Sequence, residues 1–371
     1  MAGLALNPHA RIGPAEPPGN GLVVTVPQPG AGLRSVELDE AAAAYGAVSR
    51  LRDALQTGRT RIPSADLEHL RALGLVTEKA AILTPPRLRI ALRAARDTAR
   101  APVAVELRGE LSGEDPGPLH ETVRKSFEPG PRFWHTPPGG SGPLPWWPDD
   151  DAEPALRALV REGRAVVPGA VADALAAAWI VSSPELDEIE RELAAAAADL
   201  RRQHYARLRV LPPALLRDVT RYYQALVDGG FLTYEDSALR YWAHNDGIGK
   251  ILHDFILAAV RKVVGRPLKA SYSYFSGYRN EAVLTEHVDR EQCEFTLNAV
   301  LDYRPAPHGP VDWPLVLRTG DEVVELRSRI GDSVIFEGGI LAHRRPMLPR
   351  GHECDVILLH FVDESFDGPL G

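Results

Sequence analysis

The chain has 371 residues, with 42 Lys and Arg against 50 Asp and Glu and a net charge of −8. That length suits two or three domains with cores of their own, and the acidic balance excludes a generally basic nucleic-acid coat. Two cysteines, Cys293 and Cys354, exclude a disulfide scaffold or a cysteine-rich zinc site and suit a reducing cytoplasm.

No apolar run reaches the roughly 18 residues of a membrane helix. Residues 1–20 are rich in Pro and Gly and lack the basic start and apolar core of a signal peptide. They read as a flexible lead-in. Leu22 to Val26 reads as a short strand ended by Pro27. Residues 38–57 read as a helix with Tyr45, Val48, Leu51 and Leu55 on one face and Gly58 as its C-cap. Ser64 caps a second helix carrying Leu67, Leu70 and Leu73, and an extended piece then runs from Leu75 to Leu83. Helix, turn, helix and a short hairpin over 21–100 is the layout of a small winged-helix-like module.

Residues 101–180 read as a connector. Its first part, to about Asp151, is irregular and punctuated by prolines, from Pro129 to Pro148. Phe133, Trp134, Trp146 and Trp147 are interleaved among them. A solvated linker would not carry so many aromatics, so this stretch is expected to pack on a neighbour or to cover a site. Residues 154–178 read as one Ala-rich helix. Helices follow from Ser183-Pro184 through Leu200, after Pro212-Pro213 to Gly229-Gly230, and from Ile248 to Val264, the last entered through a capping turn at His244–Asp246. The run Arg201–Arg209 reads as a solvated helix face.

From Leu268 the texture changes to short runs separated by Gly and Pro: 270–278, 282–288, 293–302, 313–318, 322–327, 333–336, 340–345 and 355–362. Eight short strands after a helical prelude predict an α+β chain ending in a double-sheet jelly roll braced by helices.

His287-Val288-Asp289 is the most informative tripeptide. Residues i and i+2 of a strand face the same side, so an imidazole and a carboxylate converge. His343 stands on a later strand. Two neutral imidazoles and one carboxylate form the facial set that holds Fe(II) and leaves positions open. Around them stand Tyr278, the turn Gly331-Asp332 leading to Phe336, and Pro346 with Gly351.

On these residues the chain resembles the Fe(II)- and 2-oxoglutarate-dependent dioxygenases, nearest the prolyl-4-hydroxylase-like branch. That branch has a Tyr about nine residues before an H-x-D, a G-D-x-x-x-F turn before the distal His, and a P-x-x-x-G-like run after it, here one residue wider. The resemblance covers about 269–362, and the helices of about 184–265 match the bracing helices of that branch. It implies a double-stranded β-helix over 181–371, with His287, Asp289 and His343 as iron ligands and as the catalytic set. It implies that Tyr278 and Thr296 lie at the cosubstrate. The cosubstrates would be 2-oxoglutarate and O2. The implied reaction yields succinate and carbon dioxide and hydroxylates an unactivated C–H; Asp289 fills the position a halide would need, which favours hydroxylation over halogenation.

One position departs from the pattern. The branch has Lys or Arg about ten residues after the distal His, where this chain has Glu353. A buried cosubstrate carboxylate needs a cation or several donors. Arg345, on the strand face of His343, is the first candidate. Arg290, expected to point away by strand alternation, Arg350, Arg279 and Lys269 are the others. His360 reads as a core histidine, Cys293 as a small core residue, and Tyr272 and Tyr274 as sharing the parity of Tyr278.

The expected substrate is a small molecule or a free or peptidyl amino acid, with peptide recognition by the N-terminal module, and no membrane or nucleic-acid partner. Two other readings use the same residues. One is a cupin-like metalloenzyme without 2-oxoglutarate, favoured by Glu353. The other is a non-catalytic binding protein.

Overall fold

The computed structural model describes residues 4–15, 20–28, 32–57, 63–79, 91–92, 101–117, 130–140, 142–183 and 188–371. Gly58, the end of the extended piece at 80–83, Pro129 and Pro184–Leu186 lie outside them. The chain divides into two units, one of 1–86 with 223–234 and one of 87–222 with 235–371.

In the first unit, β1 (Leu4–Leu6) pairs with β5 (Val76–Glu78), and β2 (Arg11–Pro14), β3 (Leu22–Gln28) and β4 (Gly32–Leu38) form an antiparallel meander. Strand alternation puts Leu22, Val24 and Val26 on one face. There they meet Val48 and Leu51 of α1 (Tyr45–Gln56), Leu70 of α2 (Leu67–Ala72), and Leu75. Two expectations are corrected and a third is not confirmed. The lead-in of 1–20 contains two paired strands, because its apolar residues Leu6 and Ile12 pack on this core. The predicted helix 38–57 starts at Tyr45, since Asp39 closes a turn by accepting from the Ala41 amide. The winged-helix layout is not confirmed: a meander precedes the helices, and the strand after α2 pairs back to β1.

In the second unit, β7 (Val103–Leu107), β11 (Arg164–Val167) and β12 (Val181–Ser182) form one sheet. A second contains β6 (Ala91–Leu92), β8 (Glu110–Ser112), β9 (Phe133–Thr136) and β10 (Leu144–Pro148). The described part of the connector is thus built into these two sheets and the helices that follow, and Phe133, Trp134, Trp146 and Trp147 are all buried, with Trp146 edge-on to Phe255. They cover no site. The Ala-rich stretch is two helices, α3 (Glu153–Glu162) and α4 (Gly169–Ala177). Gly163 in the left-handed region ends the first.

Helix α5 (Glu188–Gln203) leads to β13 (Tyr205–Leu208), so Arg207 and Arg209 belong to a strand and its exit, not to a helix face. Helix α6 (Pro213–Asp228) passes to the first unit, and the chain re-enters the second at β14 (Thr233–Glu235). After β15 (Arg240–His244), Asp246 caps α7 (Gly247–Val264) by accepting from the Ile248 and Gly249 amides.

All eight expected strands follow: β16 (Leu268–Tyr278), β17 (Leu284–His287), β18 (Phe295–Arg304), β19 (Leu315–Thr319), β20 (Glu322–Leu326), β21 (Ser333–Glu337), β22 (Ala342–Arg345) and β23 (Glu353–Asp363). The large sheet runs β13-β21-β18-β23-β16-β15-β14 and the small one β17-β22-β19-β20. Helix α7 packs against β16 and β23, with α5 beside it. Apart from the β19–β20 hairpin within the small sheet, consecutive strands alternate between the two antiparallel sheets, which is the arrangement of a double-stranded β-helix. No helix among the described residues is long and apolar enough to cross a membrane.

Candidate metal centre

His287 ends β17 and His343 lies in β22, directly opposite each other in register, with ring centroids 4.3 Å apart. Beyond His287 the chain leaves the strand. The Asp289 amide donates to the Gly338 carbonyl, and this bond brings the carboxylate back toward the histidines. Asp289 Oδ1 lies 3.7 Å from His287 Nε2 and 3.6 Å from His343 Nε2.

Each imidazole is oriented by its own strand. His287 Nδ1 donates to the Thr285 carbonyl at 2.8 Å, and His343 Nδ1 to the Leu341 carbonyl at 3.0 Å. Both Nε2 lone pairs are therefore free and point at one place, as metal-ligating histidines require. Burial lowers the His343 pKa, against an opposing effect of Asp289. Phe336, the aromatic of the Gly331-Asp332 turn, stands edge-on to His343 at 4.8 Å. The donor set suits a divalent transition metal bound on one face.

These donors open into a cavity of about 610 Å³ that is also lined by Tyr272, Tyr274, Tyr278, Arg345, Asn298 and His360. Arg345 is 3 % exposed. Its Nη1 donates to the Trp313 carbonyl at 2.9 Å and its Nη2 to Asn298 Oδ1 at 3.0 Å. Among the described residues no carboxylate pairs with it, and burial lowers its pKa. A buried guanidinium held by neutral acceptors beside a cavity is a seat for an anion. Tyr278 is buried edge-on to Trp313, at 4.9 Å.

Other placements differ from expectation. Thr296 does not line the cavity: it is fully buried and its hydroxyl donates to Asp289 Oδ2 at 2.6 Å. Arg290 lines the cavity, because strand alternation stops at His287. Glu353 faces away from the cavity and pairs with Arg304 and Arg279. The inward neighbour on β23 is Cys354, buried beside Arg345, and burial pushes its thiol up to about 12. Arg279 is taken by Asp355 at 2.8 Å, and Lys269 donates to the Phe366 carbonyl. Arg350 is not among the lining residues.

His360 is buried, its ring 4.3 Å from that of Tyr272, and burial holds its pKa down to about 4. Asp289, Cys293 and His360 also lie close enough to share an ion, but the Thr296 hydroxyl already bridges Asp289 and His360, and Cys293 Sγ bonds the Tyr272 hydroxyl at 3.0 Å. Residues that sequence reasoning missed are Asn298, Trp313 and Arg240, the last stacked over Tyr274 and Tyr278. A hollow of about 800 Å³ on the β11-β7-β12 sheet includes Glu106, Arg164 and Val166. It has no convergent donor set among the described residues.

Fold and donors together define a double-stranded β-helix with a two-histidine, one-carboxylate centre. No family model and no curated protein matches the sequence. Among solved structures, a prolyl-4-hydroxylase of Pseudomonas putida is similar at 20 % identity and TM-score 0.39, over 47 % of this chain and 100 % of that one. HygX from Streptomyces hygroscopicus, solved with nickel, 2-oxoglutarate and hygromycin B, is similar at 13 % and 0.38, over 46 % and 88 %. The non-heme alpha ketoglutarate dependent epimerase SnoN from nogalamycin biosynthesis is similar at 14 % and 0.39, over 47 % and 83 %. The fold assignment rests on the strand order described above.

Proposed function

We propose that the chain is an Fe(II)- and 2-oxoglutarate-dependent oxygenase that hydroxylates an unactivated C–H of a small molecule or of a free or peptidyl amino acid. The observation that carries this reading is the convergence of His287 Nε2, His343 Nε2 and Asp289 Oδ1 in one cavity with the buried, acid-free Arg345. Cupin-like chemistry without an oxoacid loses its support, because Glu353 faces away from the cavity.

His287, Asp289 and His343 would hold Fe(II), which supplies dioxygen activation coupled to decarboxylation of the oxoacid. Arg345 binds the distal carboxylate of 2-oxoglutarate, oriented by Trp313 and Asn298. Tyr278 closes the apolar side of that seat, and Tyr272 and Tyr274 wall the cavity against water. The buried Phe133, Trp134, Trp146 and Trp147 offer a peptide no surface, so peptide recognition would fall to the first unit. Two buried free thiols support a reducing cytoplasm as the site of action.

The test is anaerobic titration of Fe(II)-loaded protein with 2-oxoglutarate, wild type beside His343→Ala. A visible charge-transfer band in the wild type that is absent from the variant is the expected result. Iron bound without a band in the wild type would overturn the reading.

A further inference from the structure

The two oxygens of Asp289 are not equivalent. Oδ1 faces both histidines, whereas Oδ2 accepts from Thr296 Oγ1 at 2.6 Å. A carboxylate has only acceptors, so the hydroxyl must be the donor. Thr296 Oγ1 also lies 2.9 Å from His360 Nδ1. With its proton committed to Asp289, the hydroxyl can only accept from an Nδ1–H. The proton order is therefore His360 to Thr296 to Asp289. His360 is fixed in turn: its carbonyl accepts from His253 Nε2 at 3.1 Å. Thr296, His360 and His253 are buried and Asp289 is half-buried, so water has little access to these bonds. Gly338 closes the other side, where a Cβ would stand 2.4 Å from Asp289 Oδ2.

We propose that Thr296 is a positioning residue that restricts Asp289 to one metal-facing oxygen, with His360 setting the direction of its hydroxyl. The consequence concerns coordination. Carboxylates bind metals through one oxygen or both. A carboxylate free to turn would take a fourth position on the metal with Oδ2 and leave two open. Held by Thr296, it takes one and leaves three, enough for a bidentate oxoacid and one further ligand. The inference rests on the metal-centre reading above.

The experiment uses full-length protein and Co(II) as a spectroscopic stand-in for iron. Wild type, Thr296→Val, Thr296→Ser and Asp289→Ala are compared by calorimetric Co(II) titration, by the visible absorption of the Co(II) form and by 2-oxoglutarate titration of that form. Thr296→Val is expected to bind Co(II) about 10–100-fold more weakly, with an altered absorption band and weaker 2-oxoglutarate binding. Thr296→Ser is expected to restore all three. His360→Phe is expected to shift the same band with the hydroxyl still present. A folded Thr296→Val protein with wild-type Co(II) affinity, band and oxoacid affinity would overturn the proposal. So would failure of Thr296→Ser to rescue. If the wild type binds no Co(II), or Asp289→Ala binds it equally well, it is the metal-centre reading that fails.

Discussion

The guanidinium of Arg345 lies 4.6 Å from the centre of the Trp313 ring while donating to the backbone carbonyl of that same residue. One residue therefore fixes both the plane and the direction of the cation. Trp313 is itself anchored, since its Nε1 donates to the Pro346 carbonyl at 2.6 Å. The guanidinium cannot turn away from the cavity without losing both contacts.

Arg345→Met is accordingly predicted to lose 2-oxoglutarate while keeping the metal. A charge-assisted bond contributes about 1.5–3 kcal/mol, so affinity should fall at least tenfold. The stability of the protein should change little, because removal of an acid-free buried charge offsets the loss of a donor to the Trp313 carbonyl and Asn298 Oδ1. Thermal melts with and without 2-oxoglutarate check both points: the ligand should raise the midpoint of the wild type and leave that of the variant unchanged.

Arg279 separates structural from ligand-binding arginines. It pairs at 2.8 Å with the 2 %-exposed side chain of Asp355. Arg279→Gln should cost about 3 kcal/mol, since it strips a buried carboxylate of its main partner, although Arg304 remains at 3.6 Å. Urea unfolding measures the loss. Oxoacid affinity should stay at the wild-type value, the opposite pattern to Arg345→Met.

Gly338 approaches Asp289 so closely that a Cβ there would also meet the Cys293 carbonyl at 2.7 Å and Thr296 Oγ1 at 2.8 Å. Gly338→Ala is predicted to displace Asp289 and weaken Co(II) binding about tenfold or more. The near-UV circular dichroism should be retained. Unchanged metal affinity in a folded variant would contradict the geometry.

Stability should fall on mild acidification. Burial holds His135 at about 4 and His253 at about 3, below the ordinary 6.5. As pH drops below 6.5 the unfolded chain takes up these protons first, while the folded chain remains neutral. The contribution is complete above pH 6.5 and is lost as pH falls toward 4 and then 3. Each group adds up to about 1.4 kcal/mol per pH unit to the slope. Urea unfolding at pH 7, 6 and 5 measures it, and His135→Phe and His253→Phe should each flatten the dependence. An unaltered slope in both variants would exclude these two groups.

The C-terminal half was legible because its apolar runs are punctuated, β18 ending at Pro305, β19 at Gly320, β21 at Gly338 and β22 at Pro346, so composition and punctuation agree. Of the N-terminal strands β3 was legible, but β1, β2 and β4 were not: β2 carries a Gly and a Pro in four residues, and composition there outweighed pairing that only the partner strand β3 reveals. The Ala-rich stretch was read through its break, although Gly163 and Pro168-Gly169 bracket β11, because its helical composition was weighed above that punctuation. His287, Asp289 and His343 could be picked out because the residue types themselves carry the chemistry. Glu353 misled because spacing was counted without register. On β23 a one-residue offset exchanges the two faces, and Cys354 holds the inward place. Arg290 misled in the reverse way, by extending alternation past the end of a strand. Asn298 and Trp313 carried no signal of their own, since their role exists only through Arg345.

The two histidines share one further trait: each bonds the carbonyl two residues upstream, Thr285 for His287 and Leu341 for His343. The correct tautomer is thus a local property of each short strand and its entry, wired before the strands meet. Side chains elsewhere in the barrel can be exchanged without scrambling which nitrogen is offered. The centre is in this sense modular, two prefabricated half-sites that become a whole once register brings them face to face.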